Sequence, residues 1–387
     1  MKTKFVVGLI TSFEYIDKVI NTYKLILNEL SNEFNEVYII NNDNLKFFRS
    51  KKKYKIKIKK KLDKKIIFYN PKNASEFNKF VENKKIILIN SFGRSFSEMK
   101  THFLLNKRNI HQIMISNIGN IQGSNIYVGK NIITNLFLKK ISHYLTLIFY
   151  GMGIFKKVSV RFISNKYILE NFKPKLFSQA KKMIPINSRA HEDILKNKMS
   201  KQQKYIVFLD HSLNHPEWVE ARGIIEKKFE KEIYKLTENF LLQLSNLYKK
   251  KVVVCLHPST NKNNIKNLLK KFKIVKFKTP EYIYKSELVV FSDSSSIVDA
   301  FILKKKIVCI KSLKTNLGEI KFLKNYHNLG LLEIDLDNKV NLKKNKIDIA
   351  LKNALKKYSS FNRKFTQLDK NEVGSKKLIK YIKNVLV

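Results

Sequence analysis

The chain has 387 residues and a formal net charge of +46, because 77 Lys and Arg residues stand against 31 Asp and Glu residues. Hydrophobic residues make up 44% of the sequence, including 17 Tyr and 27 Phe, which supports packed cores and excludes a chain disordered throughout. The length predicts two domains. The charge is compatible with binding to nucleic acid, anionic lipid or acidic polysaccharide. It is equally compatible with an A/T-rich codon usage, which favours Lys, Asn and Ile without any binding role.

The first part of the chain alternates between strand and helix patterns. The apolar run 5–10 is too short for a signal peptide and predicts a first strand. The alternation predicts βαβ units and a parallel, doubly wound sheet, whose ligands bind beyond the carboxyl ends of the strands. The loops expected there are 11–14, 91–95 and 117–120. The predicted strands are 5–10, 37–40, 66–69, 86–89 and 112–116, and the predicted helices are 15–30, 75–82 and 98–106.

Two segments of this half have an unusual composition. Segment 51–65 holds ten lysines in fifteen residues, which predicts either a patch for an anionic membrane or polymer, or a solvated loop or hairpin. Segment 141–155 is the most apolar window and is flanked by lysine pairs at 139–140 and 156–157. Because a crossing helix needs about twenty apolar residues, this window predicts a helix in a membrane interface or a core or interdomain helix.

Regular alternation resumes at 205 and predicts a second doubly wound domain. The fold class is therefore α/β, with two Rossmann-like domains facing one another across a cleft, a favoured place for ligands. Cys255 and Cys309 fall in predicted strands and are expected to be small core residues in a reducing compartment. No metal-ligand spacing occurs, so no metal site is predicted. The predicted strands are 205–209, 252–256, 274–277, 288–291 and 307–310, and the predicted helices are 228–248, 262–271, 280–285 and 294–304.

Two polar clusters follow apolar strands of the second domain, at 255–259 (CLHPS) and 291–296 (FSDSSS). A polar turn between a strand and a helix presents backbone N–H groups and hydroxyls to one point, as a phosphate requires. The alternative reading is that the serines only cap a helix and that the histidine is structural. The predicted nucleotide-phosphate ligands are His257, Pro258, Ser259, Ser294, Ser295 and Ser296.

These clusters carry a resemblance to a known group of enzymes. LHPS at 256–259, followed by VVFSDSSSIVDAFILKKKIVCI at 289–310, resembles the nucleotide-binding half of bacterial GT-B-type glycosyltransferases of capsule and lipopolysaccharide synthesis. Sialyl- and polysialyltransferases carry similar His-Pro and Ser-Ser motifs, and CDP-glycerol glycerophosphotransferases carry a related pattern. The resemblance covers about residues 204–312 and implies that these motifs contact the phosphate of a cytidine nucleotide.

The strand and helix pattern also predicts a domain plan, and the resemblance supplies the expected role of each domain. Residues 1–125 are expected to form an acceptor-side Rossmann-like domain, and residues 126–200 an interdomain region with an apolar helix. Residues 201–340 are expected to form the nucleotide-binding domain, and residues 341–387 C-terminal helices. The implied partners are a nucleotide-sugar donor, CMP- or CDP-linked, and a glycan or lipid-linked acceptor, with no further cofactor. The expected location is the cytoplasm, and the charge and the 141–155 window add the alternative of a peripheral protein on the inner face of the plasma membrane.

A transferase needs a base that takes the proton of the acceptor hydroxyl. Sialyltransferases of this type carry an acidic Asp/Glu-Asp/Glu-Gly motif in the first domain, and this chain has no such tripeptide. The candidate catalytic residues are Glu14, Asp210 and His215, which follow predicted strands. Glu14 and Asp210 can instead cap a helix and a turn.

The leading interpretation is an inverting, metal-independent glycosyltransferase that moves a sugar from a nucleotide donor to a surface glycan precursor. Three other activities are also compatible with these residues. The first two are a CDP-glycerol-type glycerophosphotransferase and an isomerase resembling UDP-N-acetylglucosamine 2-epimerase. The third is a basic protein that binds nucleic acid or another polyanion. Nucleic acid is disfavoured because the chain has no recognised nucleic-acid motif.

Overall fold

The computed structural model of the protein describes sixteen longer segments, three short ones and five single residues. These are residues 5–12, 16–46, 63–82, 84–91, 99–107, 110–116, 157–164, 166–170, 180–196, 203–211, 227–257, 268–292, 296–312, 331–338, 343–367 and 373–386, then 144–145, 148–149 and 152–155, and positions 213, 260, 265, 294 and 329. The lysine-rich stretch 51–62, half of the predicted helix 262–271 and the loops 13–14, 92–95 and 117–120 lie outside them.

The chain divides into two compact units. The first comprises Met1–Ile118, Thr134–Arg189 and Gln367–Val387, and the second comprises Gly119–Ile133 and Ala190–Thr366. Each unit contains one all-parallel sheet with helices between its strands, so the predicted pair of Rossmann-like domains is confirmed.

The first unit contains a seven-stranded sheet in the order β3-β2-β1-β4-β5-β6-β7. Its order reverses between β1 and β4, the topological switch point of a doubly wound sheet. The strands are β1 Phe5–Thr11, β2 Val37–Asn41, β3 Ile66–Tyr69, β4 Lys85–Asn90, β5 His111–Ser116, β6 Val158–Ile163 and β7 Ala180–Pro185. The helices of the first unit up to this point are α1 Ile16–Glu33, α2 Ala74–Glu82, α3 Met99–Lys107 and α4 Lys166–Glu170. Helix α5, Arg189–Lys196, follows β7 and belongs to the second unit except for Arg189.

The second unit contains a six-stranded sheet in the order β10-β9-β8-β11-β12-β13, with its switch point between β8 and β11. The strands are β8 Tyr205–Leu209, β9 Lys251–Leu256, β10 Lys273–Lys276, β11 Ser286–Phe291, β12 Lys306–Lys311 and β13 Leu332–Asp335. The helices are α6 Lys227–Tyr248, α7 Thr279–Tyr284, α8 Ile297–Ile302 and α9 Lys344–Phe365. A last helix, α10 Gly374–Leu386, belongs to the first unit.

The central strands are fully buried, and this explains their continuous apolar sequences. In β1, β2, β9 and β11 nearly every residue is buried, because helices cover both faces of a parallel sheet. All five strands predicted in the first unit are present, as are all five predicted in the second, with ends that shift by one or two residues.

The structure places three segments differently from the predicted domain plan. Strands β6 and β7 extend the first sheet, where an interdomain region was expected over 126–200. Helix α10 packs on α1, since Leu378, Ile379 and Ile382 lie in the same core cluster as Ile20 and Leu27. The chain therefore returns to the first unit after α9, which packs on the second.

Candidate functional site

The candidate site lies at the carboxyl edge of the second sheet, where β8 and β11 end side by side at the switch point. Val290 pairs with Phe208 in register, so the residues that follow both strands emerge together. Two of these residues are directly joined: the Ser292 hydroxyl lies 3.0 Å from Nδ1 of His211, and both residues are fully buried. Ligands of doubly wound sheets bind at this point.

A second buried contact holds Asp210, the residue before His211. Its carboxylate accepts hydrogen bonds from the Tyr234 hydroxyl at 2.8 Å and from the Thr260 hydroxyl at 2.9 Å. Asp210 itself is 2% exposed. Burial and the neighbouring Asp210 carboxylate raise the pKa of Tyr234 well above its ordinary value, so the phenol remains a protonated donor to that carboxylate.

Thr260 connects this buried carboxylate to the turn after β9. Its backbone N–H donates to the carbonyl of His257 at 3.0 Å, and its own carbonyl accepts from the Lys276 ammonium at 2.9 Å. The Asp210 backbone N–H also donates to the carbonyl of Cys255 at 3.0 Å. Asp210, at the end of β8, therefore holds Thr260, and Thr260 in turn holds the backbone of His257.

His211 is enclosed by aromatic rings. Its imidazole stacks on the ring of Tyr234, with centroids 5.5 Å apart, and meets the Phe208 ring edge-to-face at 5.1 Å. A buried imidazole between two rings and one hydroxyl has a fixed orientation. His211 therefore acts as a rigid support for the serine loop that follows β11.

The serine loop contributes Ser292 and Ser294, which are buried, and Ser296, which is partly exposed and precedes α8. Ser296 stands at the N-cap, yet its hydroxyl makes no capping hydrogen bond within the described part of the chain. The capping role considered for these serines is therefore not seen at Ser296.

One aromatic side chain at this edge faces solvent. Lys276 pairs with Leu256 in register, so Phe277 and His257 follow neighbouring strands at the same level. Phe277 is 57% exposed and has a left-handed backbone, with φ of 64°. That conformation is uncommon for a residue with a side chain and is found at strained, functional turns. The Lys276 ammonium lies 5.3 Å from the centre of the ring.

The predicted site residues can now be placed. His257, Ser294, Ser296 and Asp210 lie at this one edge of the second unit. Pro258, Ser259, Ser295, Glu14 and His215 lie outside the described residues. Four residues of this edge were not predicted from the sequence: His211, Tyr234, Thr260 and Phe277. Three of them follow strand ends, which is a pattern that could have identified them, and Tyr234 lies on α6.

The carboxyl edge of the first sheet also carries a polar cluster, which is built mainly of amides and hydroxyls. Asn41 Nδ2 donates to Asn70 Oδ1 at 2.9 Å, and the Ser12 hydroxyl donates to Asp43 Oδ1 at 2.6 Å. Asn42 is fully buried, and its side-chain nitrogen and oxygen have no hydrogen-bond partner among the described residues. A buried amide in that state is costly unless a ligand or water meets it.

The cysteines are confirmed as core residues. Cys255 and Cys309 are buried and free, and burial raises the pKa of Cys255 to about 12. Its sulfur is therefore a thiol and not a thiolate at neutral pH, so it is not a nucleophile.

No protein-family model matches the chain, and no curated protein matches its sequence. Solved structures do share its fold. The UDP-GlcNAc 2-epimerase from Methanocaldococcus jannaschii matches with a TM-score of 0.53 and 14% identity, covering 98% of this chain and 99% of that one. The wall teichoic acid polymerase TagF matches with a TM-score of 0.53 and 12% identity, covering 100% and 91%.

A third solved structure extends the same likeness. S. aureus MnaA, determined with UDP, matches with a TM-score of 0.50 and 10% identity, covering 99% of this chain and 97% of that one. At these identities the likeness shows the fold alone: two Rossmann-like domains of the kind found in GT-B-type enzymes.

Proposed function

We propose that the protein is an inverting, metal-independent glycosyltransferase that moves a sugar from a nucleotide donor, with a cytidine nucleotide favoured, to a cell-surface glycan precursor. The observation that carries the proposal is that His257 and the serine loop follow β9 and β11, the two strands on either side of β8, at one edge of the sheet. The His211–Ser292 contact of 3.0 Å joins the loop after β8 to the serine loop. Two structures of the same fold were determined with nucleotide ligands: an epimerase with UDP-GlcNAc and UDP, and TagF with CDPG.

The nucleotide is held by the second unit. His257 donates to a phosphate oxygen and, when protonated, stabilises the negative charge that develops on the departing nucleotide. The hydroxyls of the serine loop and the turn after β9 bind the remaining phosphate oxygens, with Ser259, Ser294, Ser295 and Ser296 as donors. Pro258 fixes the backbone of that turn.

Phe277 supplies the base-binding surface in this proposal. Its ring is exposed at the level of His257, and every nucleobase offers a flat face for stacking on such a ring. The Lys276 ammonium beside it adds positive charge toward the nucleotide. The stacking contact does not itself distinguish cytosine from uracil.

Asp210 has a positioning role in this account. A general base must present a lone pair to the acceptor hydroxyl, whereas both oxygens of Asp210 already accept hydrogen bonds from buried partners. Its carboxylate instead holds Thr260 and, through it, the His257 turn. Glu14 and His215 remain the proposed bases.

The acceptor is bound by the first unit. Its polar edge offers the amides of Asn41, Asn42 and Asn70 and the hydroxyl of Ser12, which suit the hydroxyl groups of a sugar. Asn42 brings two buried hydrogen-bonding atoms that have no partner in the described part of the chain. A polyhydroxylated acceptor that reaches this amide would satisfy both atoms.

The two rival enzyme activities use the same nucleotide site. A CDP-glycerol-type glycerophosphotransferase would transfer a glycerophosphate group, and a UDP-GlcNAc 2-epimerase-like enzyme would convert its donor without an acceptor. The fold of the solved structures is common to both. A basic polyanion-binding protein would bind duplex or polymer with steep salt dependence and ignore nucleotides.

Product analysis tests the proposal. CMP-, CDP-, UDP- and GDP-linked donors are incubated with the protein, with and without a glycan acceptor, and the products are identified by mass spectrometry. The proposal expects a free nucleotide and an extended acceptor, at a rate that EDTA does not change. Donor conversion without an acceptor would establish the isomerase instead, and transfer of glycerophosphate would establish the phosphotransferase.

A further inference from the structure

The first unit exposes a set of large apolar side chains that its core does not use. Tyr144 and Ile148 are helical and are 63% and 44% exposed. Met152, whose backbone N–H donates to the Ile148 carbonyl at 2.8 Å, is 58% exposed. Ile154 and, on α3, Phe103 are each 40% exposed. These five residues are called the apolar patch below.

The patch is anchored from beneath by aromatic packing. Phe155 is buried, and its ring lies 5.4 Å from the ring of Phe149 and 4.9 Å from that of Phe103. The Phe155 backbone N–H donates to the Phe149 carbonyl at 3.0 Å. Gly153 has φ of +75°, which lets the chain turn back so that Phe155 reaches the core. The segment is therefore held to the unit by its inner side, while its outer side is also apolar.

Exposed apolar side chains gathered on one surface are typical of a site that binds a protein or a membrane. The segment is too short to cross a membrane, and no described helix is long and apolar enough to do so. A tyrosine and several aliphatic side chains beside lysines are typical of a segment that lies within a membrane interface.

We propose that the apolar patch inserts into the headgroup region of an anionic lipid bilayer. The positive charge of the chain favours an anionic bilayer as the occupant of the patch. Lysine pairs at 139–140 and 156–157 flank the segment in sequence, and the chain carries a net charge of +46. An anionic surface attracts these lysines, whereas a second copy of the chain would bring the same positive charge to the patch.

The test measures co-sedimentation of the full chain with vesicles of phosphatidylglycerol and phosphatidylcholine, and with vesicles of phosphatidylcholine alone. The wild-type chain is expected to sediment with the anionic vesicles at low salt. The double variant Ile148→Asn/Met152→Asn is expected to partition at least about tenfold more weakly, since each substitution removes an apolar side chain from the interface.

The matched control is Ile349→Asn. Ile349 is also a helical isoleucine, is 63% exposed, and lies on α9 in the second unit. Ile349→Asn also removes one exposed isoleucine without changing the net charge, but it does so outside the apolar patch. Its vesicle binding should therefore equal that of the wild type. Equal binding of the wild type and the Ile148→Asn/Met152→Asn variant would overturn the proposal. So would a patch-dependent dimer in sedimentation velocity without vesicle binding.

A spectroscopic measurement keeps the proposal testable if the double variant fails to fold. Trp218 is the single tryptophan of the chain. In the variant Trp218→Phe/Tyr144→Trp, the new indole reports the environment of the patch. Its emission should shift to shorter wavelength on adding anionic vesicles, and it should be quenched by lipids brominated near the headgroup. Unchanged emission would contradict insertion.

Discussion

The Ser292 hydroxyl and Nδ1 of His211 lie 3.0 Å apart across the point where the strand order of the second sheet reverses. This contact links the loop that ends β8 to the serine loop that ends β11. Because both residues are fully buried, water can replace this hydrogen bond only if the edge of the sheet opens. The candidate site is therefore held in place by residues that need not contact a ligand.

Ser292→Ala tests that linkage. Removing the Ser292 hydroxyl takes away its hydrogen bond with Nδ1 of His211. This loss should lower the free energy of unfolding by about 1–3 kcal/mol and weaken nucleotide binding. Thermal unfolding and nucleotide titration measure the two effects. Ser286→Ala is the matched control, because Ser286 is buried at the opposite end of β11 and donates to the Ile283 carbonyl at 2.7 Å. It should lower stability with unchanged nucleotide affinity; an equal loss of affinity would contradict the linkage.

Tyr234→Phe and Asp210→Asn test the positioning role of Asp210. Tyr234→Phe removes a hydrogen bond to a buried carboxylate, and we expect a loss of about 1.5–3 kcal/mol of stability and a lower kcat. Asp210→Asn should lower kcat while the acidic limb of the pH–rate profile stays in place. Loss of that limb in Asp210→Asn alone would identify Asp210 as the base and contradict its positioning role.

Phe277→Ala tests the base-binding surface. Stacking of a base on an aromatic ring is worth about 1–3 kcal/mol, so nucleotide affinity should fall by about fivefold to 150-fold. Phe277→Trp should retain it. Inhibition by pyrophosphate, which has no base, serves as the control and should be the same in all three proteins. A fall in pyrophosphate affinity with Phe277→Ala would show that the ring only supports the phosphate turn.

His111 makes the stability of the first unit depend on pH. Burial, together with the positive charge of Lys181, lowers the pKa of His111 below its ordinary value of 6.5. Its Nε2 lies 3.2 Å from the Tyr381 hydroxyl, which joins β5 to α10. Burial raises the pKa of Tyr381, so the phenol stays protonated and can donate to neutral His111.

The sign follows from proton uptake by the unfolded chain. Above pH 6.5, His111 is neutral in both states, and its contribution is fully present. Below that value the unfolded chain binds the proton first, so stability falls as the pH drops toward the lower pKa of the folded state. His111→Gln should unfold with a shallower acid dependence below about pH 7 than the wild type. Parallel curves for the two proteins would contradict this assignment.

The sequence predicted all but one of the interior strands of the two sheets, because these strands are buried on both faces and are almost wholly apolar. It did not predict the interior strand β6, whose sequence VSVRFI alternates apolar and polar residues. It also did not predict β7, whose sequence AKKMIP contains two exposed lysines and a proline, or β13, whose four residues are only partly buried. β7 and β13 are edge strands, and neither has a continuous apolar run to signal it. The place of α10 on α1 depends on contacts between the two ends of the chain, which local patterns do not contain.

The candidate site was partly predictable, because its polar residues directly follow apolar strands. Polar residues after apolar strands identified His257, Ser294, Ser296 and Asp210 at one sheet edge. The role of Asp210 was not readable, because its partners Tyr234 and Thr260 lie 24 and 50 residues away in sequence. An acidic residue after a strand suggests a base until its hydrogen-bond donors are known.

Nucleotide titration by calorimetry, with the wild type and His257→Ala, tests the central claim most directly. The wild type should bind at least one of CMP, CDP, UDP and GDP, and a nucleotide at a hundred times its dissociation constant should also add about 2.7 kcal/mol to the free energy of unfolding. His257→Ala should keep the fold and lose this binding, while His111→Gln in the first unit should bind as the wild type does. Absence of binding by all four nucleotides, or unchanged binding by His257→Ala, would contradict a nucleotide site at the β8–β11 edge.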